Sequence, residues 1–219
     1  MPSEKMAIDV EKFLRFCEGN FGKRVLEKET KYIYQELKDC QKILDVGCGI
    51  GSFEQKLQNL NIIGLDSSGE MLKEVRKRSD KTFVLGNAEN LPFKDSSFDA
   101  VFYVATLEFL NNYQKAIQET WRVTKQTGKI LVMMLNPESE YFHKHTQREN
   151  SYFKRIKHIN TKEIKNYVSK YYNILKEEYF LGIRKEKIFS SYDKRFASLY
   201  LIVGKKKKTT LKLVTPNHI

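Results

Sequence analysis

The sequence lacks any apolar run that is long enough to cross a membrane. A membrane-spanning helix needs about 20 consecutive apolar residues, whereas the longest apolar stretches here, at 130–135 and 196–204, have the length of single strands. The first residues are charged and do not form the apolar core of a secretory signal. These absences predict a cytoplasmic protein, and the length of 219 residues predicts one domain.

Cysteine is scarce. Cys17, Cys40 and Cys48 are an odd number and stand at no spacing that metal sites use. Reduced thiols are the simplest interpretation, which agrees with a cytoplasmic location. We therefore predict neither a disulfide framework nor a metal centre.

Acidic residues become scarce in the last third of the chain. Residues 1–135 hold 20 Lys and Arg against 19 Asp and Glu, whereas residues 136–219 hold 19 against 8, within an overall net charge of +12. Such a basic region fits an anionic partner, such as RNA, a phospholipid surface or a phosphorylated substrate. It fits a solvated lysine-rich face equally well, and composition leaves both interpretations open.

A glycine-rich stretch at 43–53 is the centre of the predicted organisation. An apolar run ends there at Val46, and Gly47, Gly49 and Gly51 follow at every second position. This pattern predicts a buried strand that stops abruptly before a helix beginning near Ile50. Glycine lets the backbone turn sharply and approach a ligand, and the first N–H groups of the helix point into the same space. The stretch therefore predicts a cofactor cradle.

Strands and helices alternate five times after two predicted N-terminal helices. We favour packing of these helices on the sheet, although they could also cover the cofactor or bind substrate. The predicted strands are 42–46, 62–65, 82–85, 98–104 and 129–135, followed by 172–180 and 196–203. The alternation predicts a parallel sheet with helices on both faces. Ligands of such sheets lie at the carboxyl ends of the strands. The pattern places Asp45, Asp66, Asn87 and Tyr103 there.

We divide this predicted single domain, 1–219, into five parts. They are N-terminal helices at 1–40, a cofactor-binding core at 41–135, a substrate-side or lid segment at 136–171, terminal strands at 172–204 and a basic tail at 205–219. Asn160 is predicted to begin a helix in the lid segment through a capping box. The tail is predicted to be mobile.

The polar residues at the strand ends suit a ligand that contains adenosine. Asp66 follows Gly51 by 15 residues, and a carboxylate there can accept hydrogen bonds from both hydroxyls of a ribose. Asn87 and Ala88 offer an amide and a backbone N–H to an adenine edge.

Three cofactor classes compete for the glycine loop. A phosphate-binding loop requires a lysine after the glycines, and none follows. The dinucleotide fingerprint requires a glycine at position 52, where Ser52 stands. Asp45 would also repel a nearby pyrophosphate, whereas a ligand with an ammonium and a sulfonium group suits it.

Residues 45–51, DVGCGIG, resemble the first motif of class I S-adenosylmethionine-dependent methyltransferases. Stretches at 64–72, 86–93 and 97–99 fit the same family in order and spacing, and the last two resemble the subgroup related to ubiquinone and menaquinone biosynthesis. The resemblance covers residues 40–135. It implies a three-layer α/β sandwich whose Rossmann-like sheet has seven mostly parallel strands, the last of them antiparallel.

The resemblance implies S-adenosylmethionine as the cofactor. The loop at Gly47 and Gly49 would hold its methionine part, Asp66 its ribose, and Asn87 with Ala88 its adenine. Asn87 stands where the family usually has aspartate, which should weaken one hydrogen bond to the adenine amino group. The predicted cofactor-binding residues are Asp45, Gly47, Cys48, Gly49, Asp66, Ser67, Met71, Asn87, Ala88, Glu89 and Tyr103.

The resemblance also implies methyl transfer by in-line attack on the sulfonium methyl carbon, with the protein aligning the reactants. A general base helps only if the nucleophile arrives protonated. The candidate catalytic residues are Glu108, after the strand 98–104, and His143 in the lid segment, where His145 is a second histidine. Each also fits an ordinary surface position. The aromatic residues of the lid segment, Tyr141, Phe142, Tyr152 and Phe153, suit either a substrate lid or a satellite core.

The favoured function is methylation of a small-molecule acceptor. The alternative is an RNA or ribosome methyltransferase that uses the basic last third, although no Asn/Asp-Pro-Pro-aromatic tetrad follows the strand 98–104. A partner subunit that binds the cofactor without chemistry also stays open, and an NAD-dependent oxidoreductase is the least favoured hypothesis.

Overall fold

The computed structural model describes the backbone of residues 4–208 and the side chains of residues 10–208. The strands are β1 (Ile43–Val46), β2 (Ile62–Asp66), β3 (Thr82–Leu85), β4 (Phe98–Val104), β5 (Thr124–Leu135), β6 (Tyr172–Arg184), β7 (Lys187–Phe189) and β8 (Ala197–Lys206). The α-helices are α1 (Glu4–Glu18), α2 (Asn20–Leu37), α3 (Ser52–Lys56), α4 (Gly69–Val75), α5 (Tyr113–Val123), α6 (Glu140–Thr146) and α7 (Thr161–Tyr171). Two 3-10 turns lie at Leu107–Phe109 and Tyr152–Arg155.

The strands form one sheet in the order β3-β2-β1-β4-β5-β8-β6-β7. Strands β1 to β5 pair in parallel, whereas β8 runs antiparallel to both β5 and β6. The order reverses at β1, which lies between β2 and β4. In open sheets of this kind the ligand crevice lies beyond the carboxyl ends of the strands at that switch point.

Helices cover both faces of the sheet, as the alternating strand pattern predicts. Neighbouring residues of β4 point to opposite faces: Phe102 packs in the core under α2 and α3, and Tyr103 packs in the core under α5 and α7. The mostly parallel Rossmann-like fold is thereby confirmed.

The described sheet has eight strands where seven were predicted. The additional strand, β7, pairs antiparallel with the end of β6 through a tight turn at Lys185 and Glu186. Both turn residues have positive φ, 46° and 62°. Hairpin turns of this kind usually contain Gly or Asn, so the sequence at 185–186 carries no turn signal.

The end of the chain differs from the prediction in a second way. Lys205 and Lys206 were assigned to the basic tail, but both belong to β8. Lys206 is buried, its Nζ donates to the Thr124 carbonyl at 2.5 Å, and it lies 4.4 Å from the centre of the Trp121 ring. The aliphatic stem of lysine tolerates such burial when its ammonium finds a partner. Residues 209–219 of the predicted tail lie outside the described residues.

The predicted cap of the helix in the lid segment is confirmed. Asn160 Oδ1 accepts from the backbone N–H of Glu163 at 3.1 Å at the start of α7. Between residues 4 and 208, no helix is long and apolar enough to cross a membrane.

Glu29 places a carboxyl group on the side of α2 that faces the core. Its side chain is buried, and burial raises its pKa from 4.5 to about 7. A pKa that is higher in the folded state favours folding at low pH, and this contribution is lost as pH rises from about 4.5 to about 7. Glu29 therefore makes the protein less stable in alkaline than in mildly acidic solution.

We expect Glu29→Gln to remove this pH dependence. The free energy of unfolding of the variant, relative to wild type, should rise by about 2 kcal/mol between pH 5 and pH 8, because the amide does not ionise. Urea unfolding at the two pH values measures the difference. Parallel stability curves for the two proteins would show that Glu29 is not buried as described.

Candidate functional site

The glycine loop between β1 and α3 requires glycine at each of its three glycine positions. Gly47, Gly49 and Gly51 have φ of 84°, 54° and 68°. A Cβ at Gly47 would lie 2.4 Å from Thr106 Oγ1, and one at Gly51 would lie 2.2 Å from Val75 Cγ2. Backbone angles and space both exclude side chains there, so the loop follows a path that brings its main chain close to whatever occupies the crevice.

Asp66 ends β2 and connects the glycine loop with α4. One carboxylate oxygen accepts from the Gly49 N–H at 2.8 Å, and the other accepts from the Ser68 N–H at 2.8 Å. Burial raises the pKa of this carboxyl, and these backbone donors partly oppose the rise. Each oxygen keeps a second lone pair for a ligand hydroxyl.

The end of β3 supplies the third predicted group. Asn87 is exposed, and its Oδ1 accepts from the Glu89 N–H at 2.9 Å. Glu89 in turn accepts from the Asn112 N–H at 2.9 Å, which ties this loop to the start of α5. Ala88 is buried between them. Since β1, β2 and β3 are adjacent and parallel, Asp45, Asp66 and Asn87 lie along one edge of the sheet.

The remaining predicted cofactor residues lie around these strand ends. Cys48 is buried within the glycine loop, where desolvation raises its thiol pKa. Ser67 is exposed directly after β2, and Met71 is half-buried in the first turn of α4, where its N–H donates to Ser68 Oγ at 3.3 Å. Their contacts with a cofactor remain predictions.

A pair of buried carboxyl groups lies behind the glycine loop. Asp45 and Glu54 are almost inaccessible to solvent, at 1% and 0% exposure. Their side chains are close enough to hydrogen-bond when one of them is protonated. Burial raises both pKa values, and the neighbouring negative charge of Glu54 raises that of Asp45 further. Asp45 Oδ2 and both Glu54 carboxyl oxygens have no hydrogen-bond partner among the described residues.

Glu54 was missing from the predicted site. No pattern in the sequence singles out Glu54, because its burial follows from the way the short helix α3 packs on the sheet. A charged residue at a core position indicates a specific role for its carboxyl group.

Tyr103 was predicted to border the cofactor. Its side chain is fully buried, and its hydroxyl lies 2.6 Å from Thr120 Oγ1 beneath α5. It shares a core cluster with Ala88, and its contact with a cofactor stays a prediction.

Glu108 lies in the 3-10 turn that follows β4, next to the end of β5. It is 3% exposed, Oε1 accepts from the Leu135 N–H at 2.9 Å, and Oε2 is buried without a partner. Burial raises its pKa to about 7. The Glu108 main-chain carbonyl accepts from the N–H groups of Lys157 and His158 at 2.8 and 3.1 Å. The lid segment is thus attached directly to this turn.

Aromatic side chains of the lid segment pack on Phe109, the residue after Glu108, and on one another. The Phe109 and Tyr152 rings lie 4.6 Å apart, and His145 packs against Tyr141 and Phe153 at 4.3 and 5.1 Å between ring centres. We call Tyr141, His145, Tyr152 and Phe153 the aromatic cover.

The two histidines of α6 differ in their surroundings. Burial lowers the pKa of His145 to about 4, so its ring is neutral at pH 7. His143 is exposed and makes an edge contact with Phe142. Nothing in these contacts connects His143 with Glu108 or with the strand ends, so its catalytic role stays a prediction.

Helix α1 lies over the glycine loop. A Cβ at Gly49 would be 3.2 Å from the Phe13 ring, and Cys17 Sγ lies 3.7 Å from Ser52 Oγ at the start of α3. The predicted packing of the N-terminal helices therefore includes the loop itself, and α1 forms one wall of the crevice.

Comparisons with known proteins agree with this geometry. Residues 44–132 match the family model of a methyltransferase domain. An uncharacterised protein of Methanocaldococcus jannaschii is 32% identical over 154 residues, 69% of this chain and 70% of that protein. The demethylmenaquinone methyltransferase of Thermotoga maritima is 36% identical over 102 residues, 44% of each chain. The chain spans about half the length of several curated relatives that it matches, between 43% and 53% for three of them.

A solved structure from Thermotoga maritima shares the fold over nearly the whole chain. This protein, described as an S-adenosylmethionine-dependent methyltransferase and possible histamine N-methyltransferase, matches with a TM-score of 0.76 and 23% identity. The match covers 90% of this chain and 96% of that one.

The methyltransferase domain model, the relatives and the shared fold together support the class I S-adenosylmethionine-dependent methyltransferases as the family of this chain. The family, the fold and S-adenosylmethionine as the cofactor are thereby confirmed as predicted. The described residues fit this cofactor. The glycine loop admits a close approach, and the unpartnered oxygens of Asp45 and Glu54 suit an ammonium group such as that of the methionine part.

We expect Asp66→Ala to weaken the binding of S-adenosylhomocysteine by about 1.5–3 kcal/mol, the range for hydrogen bonds to a charged group. The loss would combine the predicted ribose contacts with the support that Asp66 gives to Gly49. Isothermal titration calorimetry measures the change. Asp80→Ala, which removes an exposed acid after α4, is the matched control and should bind as wild type. Equal affinities for Asp66→Ala and wild type would place the ribose elsewhere.

Proposed function

We propose that this chain transfers the methyl group of S-adenosylmethionine to a small-molecule acceptor. The observation that carries the proposal is the position of Glu108. Its Oε2 is buried without a hydrogen-bond partner among the described residues, in the turn after β4 to which the lid segment is attached. A small acceptor is supported by the 36% identical relative from Thermotoga maritima, which is named demethylmenaquinone methyltransferase.

The proposed contacts to the cofactor follow the edge of the sheet. The glycine loop and Asp45 would hold the methionine part, Asp66 the ribose hydroxyls, and Asn87 with the Ala88 main chain the adenine. The bound cofactor supplies an activated methyl group, so the protein contributes alignment and the exclusion of water. The aromatic cover and α1 supply apolar walls for that purpose.

Glu108 would orient the acceptor and accept its proton at Oε2. Its Oε1 is held by the Leu135 N–H, which fixes the carboxyl plane and leaves Oε2 as the reactive atom. A base with a pKa of about 7 is partly ionised at neutral pH and still binds a proton effectively. Glu108 therefore suits an acceptor whose nucleophilic atom arrives protonated.

The basic last third gives little support to an RNA acceptor. Several of its cations already pair with acids of the described chain: Lys165 with Glu177, Lys176 with Glu36, Lys194 with Glu138 and Arg195 with Asp193. These pairs reduce the positive field that a phosphate backbone requires.

A methyl-transfer screen tests the proposed function. The protein is incubated with methyl-labelled S-adenosylmethionine and a cell extract, and small molecules, RNA and protein are then separated. Label in the small-molecule fraction supports the proposal. Label in RNA would contradict the acceptor class, and no label in any fraction would favour a cofactor-binding subunit without catalysis.

We expect Glu108→Gln to lower kcat/KM for the acceptor found in that screen by about 100-fold or more, the range for loss of a general base. The wild-type rate should rise with pH up to about 7 and then level off, because Glu108 acts as a base only when ionised. The variant should lack this rise. The matched control is Glu29→Gln, which removes an equally buried carboxyl with a similar pKa and should keep the wild-type profile. A Glu108→Gln enzyme with the wild-type rate and profile would remove Glu108 from the mechanism.

A further inference from the structure

We propose that Asp45 and Glu54 share one proton in the cofactor-free protein and release it when the cofactor's ammonium group binds. Glu54 is then a positioning residue that acts through Asp45 and links cofactor affinity to pH. The inference rests on the proposed placement of the methionine part at the glycine loop.

The backbone brings these two carboxyl groups together from different elements. Asp45 pairs with Gly64 in the parallel register of β1 and β2. Gly64 leaves room above the sheet, and a Cβ there would lie 2.8 Å from Glu54 Oε1. The Glu54 side chain reaches into this space from α3 and meets Asp45, so the contact is built into the fold.

Neither carboxyl group has the partners that buried acids normally require. Three of their four oxygens are buried without a hydrogen-bond partner among the described residues. Buried polar atoms in native proteins are usually hydrogen-bonded. A proton between the two groups satisfies one oxygen on each side, and a cationic ligand group can satisfy another.

The charged groups around the pair also favour a shared proton. Asp66, at the end of β2, adds negative charge on the crevice side, and the neutral Cys48 thiol lies in the glycine loop. Lys81, just before β3, is the cation with an electrostatic effect on Glu54. Its ammonium, however, donates to the carbonyls of Gln58 and Leu60 at 2.8 and 2.5 Å. Two adjacent carboxylates in such a setting do not both stay ionised.

Binding of an ammonium group changes this balance. Before binding, the pair consists of one carboxylic acid and one carboxylate, with a charge of −1. The positive charge of the ligand beside Asp45 stabilises the fully ionised pair, and the shared proton passes to the solvent. One proton therefore leaves for each ammonium bound, and no covalent bond of the ligand changes.

This exchange predicts a defined pH dependence of affinity. The affinity for S-adenosylhomocysteine should rise about tenfold between pH 5.5 and pH 7.0, where the α-amino group of the ligand, with a pKa of about 8, stays protonated. Below the titration of the pair, the slope approaches one log unit per pH unit, which corresponds to one released proton.

Calorimetry of the cofactor-free protein tests the proposal without any measurement of catalysis. S-adenosylhomocysteine is titrated at pH 6.5 in two buffers with different ionisation enthalpies, and the dependence of the observed heat on the buffer counts the released protons. For the wild type we expect more than about half a proton per ligand. Glu54→Gln should release fewer than about 0.2, because Asp45 loses its acidic neighbour and gains an amide donor.

Two controls separate the pair from other sources of proton release. Glu29→Gln removes a different buried carboxyl on α2 and should keep the wild-type proton count. 5′-Methylthioadenosine has the adenosine part without an ammonium and should release no proton. If Glu54→Gln does not fold, Glu54→Leu removes the same carboxyl without leaving an unpaired amide.

The outcomes distinguish this proposal from the proposed function. Binding with no proton release, or release that persists in the Glu54 variants, would overturn the shared proton while leaving the cofactor site intact. No binding of S-adenosylhomocysteine at any pH would overturn the placement of the cofactor itself.

Discussion

The carboxylate of Asp66 is the interaction on which the geometry of the crevice depends. By accepting from Gly49 on one side and Ser68 on the other, it joins the glycine loop to the start of α4 at the edge of the sheet. Both donors are backbone N–H groups, so the contact involves no side chain other than that of Asp66. A charge-assisted contact of this kind is stronger than a neutral hydrogen bond, which explains how a loop with three left-handed glycines keeps one conformation.

The crevice that the glycine loop borders also carries negative charge. Asp45, Glu54 and Asp66 lie close enough to influence one another's protonation, although burial makes each charge unfavourable. Paired salt bridges would have neutralised these groups permanently. No cation of the described residues contacts these groups, and such an arrangement suits a positively charged ligand. S-adenosylmethionine carries both an ammonium and a sulfonium. The electrostatics of the edge therefore agree with the family to which the chain belongs.

The sequence predicted the parts of the structure that depend on local periodicity. Strands β3 and β4 have the predicted bounds, because short apolar runs between polar turns allow few alternatives. Asp45, Asp66 and Asn87, at or just beyond the ends of β1, β2 and β3, were predicted to share one edge. They do so because parallel strands end on the same side.

The structure differs from the prediction where contacts between separate elements determine the position of a side chain. The face of the sheet on which Tyr103 lies depends on how β4 packs against α5 and α7, which the sequence of β4 alone does not indicate. Lys206 belongs to β8, where its ammonium lies against the Trp121 ring and donates to the Thr124 carbonyl. No local pattern in the sequence indicates these two contacts. The buried position of Glu54 depends on the space above Gly64. Glu54 and Gly64 lie in different elements, so the local sequence does not indicate that they meet.

A crystal structure of the protein with S-adenosylhomocysteine would show directly where the cofactor binds. We expect the ribose hydroxyls within hydrogen-bond distance of the Asp66 carboxylate, the adenine beside Asn87, and the amino group next to Asp45 beneath α1. Ligand bound away from the carboxyl ends of β1 and β2, or bound there with its amino group directed away from Asp45, would contradict this placement.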